Sequence, residues 1–295
     1  MKTLVLTLVA QRDATTLSDD IIATAQECMH STHSPSVLSP GEAADIICPA
    51  DAAERLPLLQ AALGDKPVDA VLTHPAARRK HLLVSDMDST IVAGETLDDL
   101  ATHAGIGDKI AAITARSMNG ELDFATALRE RVALLKGFPA SLLEKAWQDV
   151  RLNDGAKALV QTMRAHGAYT ALVSGGFTFF TERVAALCNF QENHANTLLS
   201  DNGFLTGETG QPVLGPDTKL HLLNTLSQRH HLAPEQALAI GDGANDLPML
   251  QAAGLGLAFF AKPVVREKIT AQINHTSLRT ALFAQGYPAS VFPGP

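Results

Sequence analysis

Four short apolar runs constrain the fold of this chain more than any other feature. Segments of helical composition separate these runs, which are Leu82–Ser85, Tyr169–Ser174, Ala237–Gly241 and Leu255–Phe259. Apolar runs of this length that alternate with helices predict buried parallel strands joined by right-handed crossovers. We therefore expect an α/β fold with a doubly wound, Rossmann-like parallel sheet.

A long helical stretch lies between the first two predicted strands. It extends from Thr96 to about Val150, and glycine or proline residues at 105, 107, 120, 137 and 139 divide it into about four helices. It is too long for a plain crossover, so we predict a helical cap inserted at about residues 96–150, over the strand ends. A second excursion, Ala195–Leu214, contains turn residues that predict a small hairpin.

Residues 1–77 have the pattern of a small α+β domain with a βαββαβ-like order, in which one strand is poorly marked. The predicted strands and helices are Lys2–Val9, Leu17–Met29, Ala44–Cys48, Ala52–Leu63 and Val68–Thr73. Asp51 is expected to cap the second helix, and His30–Pro40 is expected to be a loop. Polar residues 74–80 break the pattern, so we place a domain boundary there and a second domain at residues 78–295.

Two carboxylates, Asp86 and Asp88, follow the first of the four apolar runs. Residues two apart project to the same side if the extended geometry continues, and carboxylates that close tend not to stay ionised together. This pairing suits one carboxylate as a nucleophile and the other as a proton carrier, with a cation that relieves their repulsion.

Three later segments also follow predicted strands or helix starts, at the edge where open α/β sheets bind ligands. Ser174 and Gly175 allow backbone N–H groups to approach a phosphate, and Lys219 would add a positive charge. The turn after the third strand carries hard oxygen atoms of the kind that Mg²⁺ prefers, on Asp242, Asn245 and Asp246. The combination predicts phosphoryl chemistry with a bound Mg²⁺.

The net charge of −8 argues against nucleic acid as the main partner, because phosphate backbones are bound by clustered Lys and Arg. No segment reaches the ~18 apolar residues of a membrane span. The apolar N-terminus has no convincing cleavage site after it, and the three cysteines are widely spaced. We therefore predict a cytoplasmic protein without nucleic-acid or membrane partners, and leave open whether it forms a homodimer.

Together these motifs resemble the four signature segments of the haloacid dehalogenase-like hydrolases. The resemblance is carried by Asp86-Met87-Asp88-Ser89-Thr90, Ser174-Gly175, Lys219 and Gly241-Asp242-Gly243-Ala244-Asn245-Asp246. Within that family the chain is similar to the phosphoserine phosphatases, through Glu95 and the cap segments at 118–124 and 128–132. The likeness covers about residues 80–275; some family members carry an amino-acid-binding regulatory domain before this part.

The resemblance implies a Mg²⁺-dependent phosphatase that forms an aspartyl-phosphate intermediate. Asp86 would attack phosphorus, and Asp88 would protonate the leaving oxygen and then activate water. The metal would be bound by the Asp86 carboxylate, the backbone carbonyl of Asp88 and Asp242, with Asp246 close by. The phosphate oxygens would be held by Ser174, Gly175, Lys219 and Asn245.

The resemblance also implies the substrate: phosphoserine, hydrolysed to L-serine and phosphate in the last step of serine biosynthesis. Glu95 would bind the substrate ammonium and Arg131 its carboxylate, in bidentate fashion. Arg131 lies seven residues after Phe124, so both would face the same side of a helix. Met118 and Phe124 would then form the walls of the pocket.

Two alternatives remain open. The enzyme could act, as a phosphatase or phosphotransferase, on a related small phosphomonoester such as phosphohomoserine. Glu95 and Arg131 would bind the amino-acid end of the substrate, and they do not determine the length of the substrate side chain that carries the phosphate. A protein of a different class would be a regulatory amino-acid-binding protein, with the N-terminal unit as its working part. Substrate profiling distinguishes the first alternative, and binding of free serine without turnover would support the second.

Overall fold

A computed structural model describes residues 3–118, 121–215 and 217–294, apart from the side chain of Met118. The first sheet is built from β1 (Thr3–Ala10), β2 (Ser36–Ser39), β3 (Ala43–Pro49) and β4 (Val68–Thr73). Neighbouring strands are antiparallel in the order β2-β3-β1-β4. Two helices, α1 (Asp19–Cys28) and α2 (Leu56–Leu63), pack their apolar residues against this sheet.

The predicted βαββαβ order is confirmed, and Ser18 caps α1 by accepting a hydrogen bond from the N–H of Ile21. Strand β2 falls inside the segment expected to be a loop, because its four residues are half-buried or exposed and pair only with β3. The expected cap at Asp51 is wrong. A 3₁₀ turn, Ala50–Arg55, precedes α2, and the Asp51 carboxylate pairs with the Arg55 guanidinium at 2.6 Å.

The rest of the chain alternates strands and helices. The strands are β5 (Leu82–Ser85), β6 (Tyr169–Phe177), β7 (Glu192–Asn196), β8 (Leu198–Asp201), β9 (Phe204–Thr209), β10 (Ala237–Gly241), β11 (Leu255–Phe259) and β12 (Gln272–Ile273). The helices are α3 (Thr96–His103), α4 (Gly107–Met118), α5 (Phe124–Ala133), α6 (Leu142–Asp149), α7 (Ala156–Ala165), α8 (Thr178–Cys188), α9 (Thr218–Arg229), α10 (Leu247–Ala252), α11 (Pro263–Arg266) and α12 (Arg279–Ala284). In the described part of the chain, none of these helices is long and apolar enough to cross a membrane.

Six strands form a parallel sheet in the order β12-β11-β10-β5-β6-β7, which confirms the doubly wound α/β fold. The chain passes from β5 to β6 and β7 on one side, and later to β10, β11 and β12 on the other. The strand order therefore reverses at β5, which is where such sheets open a crevice for ligands. The sequence pattern misses β7, which is polar, and β12, which has two residues.

Helices α3 to α6 form the predicted insertion between β5 and β6, and the predicted hairpin is present as β8 and β9. The hairpin supports the insertion through backbone hydrogen bonds. The N–H of Gly137 donates to the carbonyl of Leu205, and the N–H of Leu205 donates to the carbonyl of Phe138, both at 2.8 Å. The insertion is thus anchored away from the sheet as well as at its two chain connections.

A buried carboxylate on β4 joins the N-terminal sheet to the C-terminal part of the chain. Asp69 is 4% exposed. It accepts hydrogen bonds from the backbone N–H groups of Asn274, His275 and Thr276 at 2.9, 3.2 and 2.9 Å, and from the Thr276 hydroxyl at 2.6 Å. One side chain therefore satisfies four donors of the segment that follows β12.

Two arginine–carboxylate pairs strengthen the same junction. Arg78 donates two hydrogen bonds of 2.6 Å to the carboxylate of Asp45 and one of 2.9 Å to the carbonyl of Ala284. Arg279 donates to both carboxylate oxygens of Glu42, at 2.8 and 2.7 Å. Bidentate pairs of this kind fix orientation as well as distance. The boundary predicted at residue 77 remains a prediction, but the two sheets are held together by more than their linker.

Replacing Asp69 with Ala should destabilise the protein by on the order of 3 kcal/mol, because several buried donors would lose their acceptor. Urea unfolding followed by circular dichroism measures the change. Asp65→Ala, in the exposed turn before β4, is the matched control and should leave the unfolding midpoint unchanged. A midpoint for Asp69→Ala equal to that of the control would contradict the assigned role of this junction.

Candidate active site

The sequence-predicted residues gather at the carboxyl ends of three neighbouring strands. Asp86 follows β5 and Asp242 follows β10, while Ser174 lies near the end of β6. Strand β6 continues through Gly176 to Phe177, although its pairing with β7 is interrupted after Val173. The strand predicted to end at Ser174 therefore continues, with irregular pairing, through the two glycines that follow it.

A buried lysine connects two of the acids. The Lys219 ammonium donates to the Asp86 carboxylate at 2.6 Å and to the Asp246 carboxylate at 2.5 Å. All three residues are buried. Burial alone would lower the pKa of Lys219, but the charges of Asp246 and Asp86 outweigh this effect and hold the pKa above its usual value. Lys219, at the start of α9, therefore stays charged.

The turn after β10 is organised by Asp246. Its second carboxylate oxygen accepts the backbone N–H groups of Asp242 and Gly243, at 3.1 and 2.9 Å. A Cβ at Gly241 would lie 2.3 Å from the Asp246 Cγ, so only glycine leaves room for this side chain. Both Asp246 oxygens are thus engaged by other groups of the protein.

The acids of this site carry more negative charge than the protein balances. Burial raises the pKa of Asp86, with a further contribution from the charge of Asp246, and burial also raises the pKa of Asp242. Among the described residues, the lysines paired with the four aspartates of the site (Asp86, Asp88, Asp242 and Asp246) are Lys219 and Lys262, and the Lys262 ammonium lies 3.5 Å from the Asp242 carboxylate. Full ionisation would leave two uncompensated negative charges.

This excess charge fits a divalent cation. Asp86, Asp242 and Asp246 place one carboxylate oxygen each within 4.8 Å of one another. Asp86 and Asp242 also keep an oxygen that no described residue hydrogen-bonds. Carboxylate oxygens in this number suit a hard cation that retains water and substrate ligands. The Asp88 carboxylate does not belong to the cluster.

Asp88 has different partners from Asp86, although the two residues are neighbours in sequence. One carboxylate oxygen of Asp88 accepts the backbone N–H and the hydroxyl of Thr96, at 2.8 and 2.7 Å. The other accepts the hydroxyl of Ser174 at 2.9 Å. The two acids are therefore held by separate parts of the site, Asp86 beside a lysine and Asp88 beside two hydroxyl groups.

The cap closes over the glycine segment through an aromatic ring. A Cβ at Gly175 would lie 3.2 Å from the Phe124 ring, and the Gly175 carbonyl accepts a hydrogen bond of 2.9 Å from the Asn196 amide. The remaining cavity has a volume of about 10 Å³, and Lys219 and Asn245 are among its lining residues. That is about the space of a single water molecule.

An acidic and a basic side chain, Glu95 and Arg131, lie near the two acids of the site. Glu95 precedes α3, and its carboxylate accepts a hydrogen bond of 2.9 Å from the Ser89 hydroxyl. The residue as a whole is exposed, but nearby protein atoms partly desolvate its carboxyl group. This desolvation, with the charge of Asp88, raises the pKa of Glu95 to about 7.

Arg131 lies on α5 with Phe124, as the spacing of the two residues predicts. It is half-buried, and burial lowers the pKa of its guanidinium, while the charges of Asp98 and Glu95 oppose this effect. Its hydrogen bond of 3.2 Å to the Ala127 carbonyl leaves most of the guanidinium donors for another acceptor. Among the described residues no carboxylate forms a direct ion pair with Arg131, although the charges of Asp98 and Glu95 act on it.

The structure thus gathers all but one of the predicted site residues around one crevice, while their chemical roles stay predictions. The exception is Met118, whose side chain lies outside the described residues. Sequence patterns missed Thr96, Asn196 and Lys262, which contact predicted site residues. Their partners lie 8 to 21 residues away, across loops or between different elements, so no helical or strand periodicity marks these contacts.

A model of the haloacid dehalogenase-like hydrolase family matches residues 83–251. The chain belongs to this family. Among curated proteins, a phosphoserine phosphatase of Lactococcus lactis is 42% identical over 203 residues, which are 69% of this chain and 94% of that protein. A phosphoserine phosphatase of Streptococcus thermophilus is 45% identical over 199 residues, 68% of this chain and 93% of that protein. The predicted family and its hydrolase class are confirmed.

Solved structures of this hydrolase family extend the likeness to the fold. A haloacid dehalogenase family hydrolase of Salmonella enterica serovar Typhi covers 95% of this chain, and the match covers 98% of that protein, with 30% identity and a TM-score of 0.83. A second solved structure is a phospho-aspartyl intermediate analogue of a phosphoserine phosphatase. The match covers 70% of the present chain and 98% of that phosphatase, with 36% identity and a TM-score of 0.65. The first likeness therefore includes the N-terminal sheet.

Adding a divalent cation, with Mg²⁺ as the probe, should raise the thermal unfolding temperature, because a ligand that binds only the folded hydrolase stabilises it. At 100 times its Kd the cation would contribute about 2.7 kcal/mol. Asp242→Asn should abolish the shift, whereas Asp201→Asn, on the exposed hairpin, should retain it. Differential scanning calorimetry makes the comparison, and equal shifts in the two variants would contradict the assigned site.

Proposed function

We propose that this hydrolase converts L-phosphoserine to L-serine and phosphate, with Mg²⁺ as its metal ion. The observation that carries the proposal is the combination of a two-acid site with an acidic and a basic side chain beside it, Glu95 and Arg131. Phosphoserine presents a phosphate at one end and an ammonium and a carboxylate at the other. Relatives more than 40% identical that carry the name phosphoserine phosphatase support the same substrate.

The chemistry would proceed in two displacements. An oxygen of Asp86 attacks phosphorus, the bond between phosphorus and the seryl oxygen breaks, and Asp88 gives that oxygen its proton. Asp88 then takes a proton from water, whose oxygen attacks phosphorus and releases Asp86. The related phospho-aspartyl intermediate analogue supports the covalent step. A bound Mg²⁺ would supply positive charge that offsets the repulsion between carboxylate and phosphate.

The phosphate would be held by groups that already surround the small cavity. Lys219 offers a fixed ammonium, Ser174 a hydroxyl, and Asn245 an amide, while Gly175 leaves its backbone accessible. Asp86 and Asp242 would bind the metal ion, joined by the backbone carbonyl of Asp88, with Asp246 holding Lys219 and the turn in place. Since the cavity between Phe124 and Lys219 has a volume of only about 10 Å³, a phosphate that binds there would displace the Phe124 ring.

Selection of the amino acid would depend on the cap. Arg131 can bind a carboxylate through two parallel N–H groups, and Glu95 in its ionised form can bind an ammonium. A related phosphomonoester of similar shape, such as phosphohomoserine, remains the alternative substrate. A cytoplasmic location, a homodimer and an amino-acid-binding role for the N-terminal sheet stay predictions.

Phosphate release from L-phosphoserine, with and without Mg²⁺, tests the proposal directly, beside phosphothreonine, phosphohomoserine and an aryl phosphate. Asp86→Asn should reduce turnover by about 10⁴-fold or more, because it removes the nucleophile. Asp201→Asn should keep wild-type activity. Circular dichroism verifies that both variants fold. Retained turnover in Asp86→Asn would rule out the proposed covalent step.

Arg131→Ala should lower kcat/KM for phosphoserine on the order of 10²-fold, because a charge-assisted pair with the substrate carboxylate is lost. Hydrolysis of an aryl phosphate, which has no such carboxylate, should change little. Arg129→Ala, exposed on the same helix, serves as the control and should affect neither substrate. Equal losses on both substrates would remove Arg131 from amino-acid recognition.

A further inference from the structure

Thr96 holds one oxygen of the Asp88 carboxylate with two hydrogen bonds. Its backbone N–H lies 2.8 Å and its hydroxyl 2.7 Å from the same atom, Oδ1. Thr96 is 2% exposed, so water does not compete for these bonds. A carboxylate oxygen offers two lone pairs in its plane, and Thr96 uses both of them. Oδ1 of Asp88 is therefore fully engaged.

The other oxygen of Asp88, Oδ2, faces the glycine segment. It accepts the Ser174 hydroxyl at 2.9 Å, and that hydroxyl in turn accepts the N–H of Gly176 at 2.8 Å. A Cβ at Gly176 would lie 3.0 Å from Oδ2, so glycine keeps this side of the carboxylate open. Oδ2 therefore points toward the region where the phosphate would bind.

Phosphate binding would change this arrangement. The Ser174 hydroxyl has a single proton, so it cannot donate to a phosphate oxygen and to Asp88 at once. When Ser174 turns to the phosphate, Oδ2 loses its donor and becomes free for the substrate. From then on, among the described residues, Thr96 alone still holds the Asp88 carboxylate.

We propose that Thr96 is a positioning residue, which fixes Oδ1 of Asp88 so that Oδ2 is the atom that exchanges the proton. The inference rests on the proposed function. In the first displacement the proton leaves Oδ2 for the seryl oxygen as that oxygen separates from phosphorus, and the new bond forms between phosphorus and Asp86. A proton on Oδ1 would cost a hydrogen bond to Thr96, so Thr96 selects the productive oxygen.

Because Thr96 is the first residue of α3, the same contact links the acid to the cap. The helix start orients its N–H toward Asp88, and the hydroxyl adds the second bond. A cap that is displaced at this point would release Asp88 from its productive orientation. Thr96 thus couples the geometry of proton transfer to the position of the first cap helix.

Thr96→Val tests the proposal, because valine keeps the side-chain volume and the backbone N–H but removes the hydroxyl. Loss of a positioned acid matters most when the leaving oxygen is basic, as it is in phosphoserine, and least for para-nitrophenyl phosphate, whose leaving group needs no proton. We expect kcat/KM for phosphoserine to fall on the order of 10²-fold, and that for the aryl ester by less than about tenfold. Phosphate release at fixed Mg²⁺ measures both.

Two further variants separate positioning from general structural damage. Thr96→Ser restores a hydroxyl and should recover most of the activity on phosphoserine. Thr102→Val makes the same substitution in the same helix, at an exposed hydroxyl that donates to the Asp98 carbonyl at 2.9 Å, and should leave both substrates unaffected. Thermal unfolding of each variant confirms that the fold is intact.

Equal losses on the two substrates, or no loss on either, would overturn the role of Thr96 while leaving the phosphatase proposal standing. A wild-type enzyme that hydrolyses another alkyl phosphate but not phosphoserine would refute the proposed substrate. The loss in kcat/KM that Thr96→Val causes on that alkyl ester, compared with its loss on the aryl ester, would then decide the role of Thr96. A wild-type enzyme that hydrolyses none of these esters would overturn both proposals.

Discussion

The buried ammonium of Lys219 is the interaction on which the site depends. It lies between Asp86 and Asp246, at 2.6 and 2.5 Å, and none of the three could be buried alone at an acceptable cost. Asp86 follows β5, Asp246 belongs to the turn after β10, and Lys219 begins α9. The triad therefore requires those three elements to converge, and its unbalanced negative charge leaves a place for a metal ion.

Asp86 and Asp88 lie in different surroundings, which suit them to different chemical roles. Burial raises the pKa of Asp86, and the Lys219 ammonium together with a bound cation would oppose this effect and favour the anion that approaches a phosphate. Among the described residues, the donors that Asp88 accepts from are the uncharged groups of Thr96 and Ser174, which suits a carboxyl group that alternates between its acid and its base form. Phosphoryl transfer needs both kinds of carboxylate within reach of one phosphorus atom.

Much of the fold could be predicted, because β5, β6, β10 and β11 are compact apolar runs and the four cap helices are separated by glycine and proline. The strands that were missed are defined by their pairing with a neighbouring strand and not by an apolar pattern of their own. Strands β2, β7 and β12 are polar, exposed or very short, and they are strands because a neighbouring strand supplies hydrogen-bonding partners. The error at Asp51 has a similar cause, since Arg55, one turn later, attracts that carboxylate.

The amino-acid sequence by itself determined which chemical groups lie at the strand ends, because strand propensity and residue type are local properties. Only the tertiary structure decided what those groups contact. Lys219 and Asp86 are 133 residues apart, and Ser174 and Asp88 are 86 apart, so no periodicity relates them. The same holds for Asp69, whose partners are more than 200 residues away. Hydrogen-bond partners over such separations are set by packing, which a linear pattern does not contain.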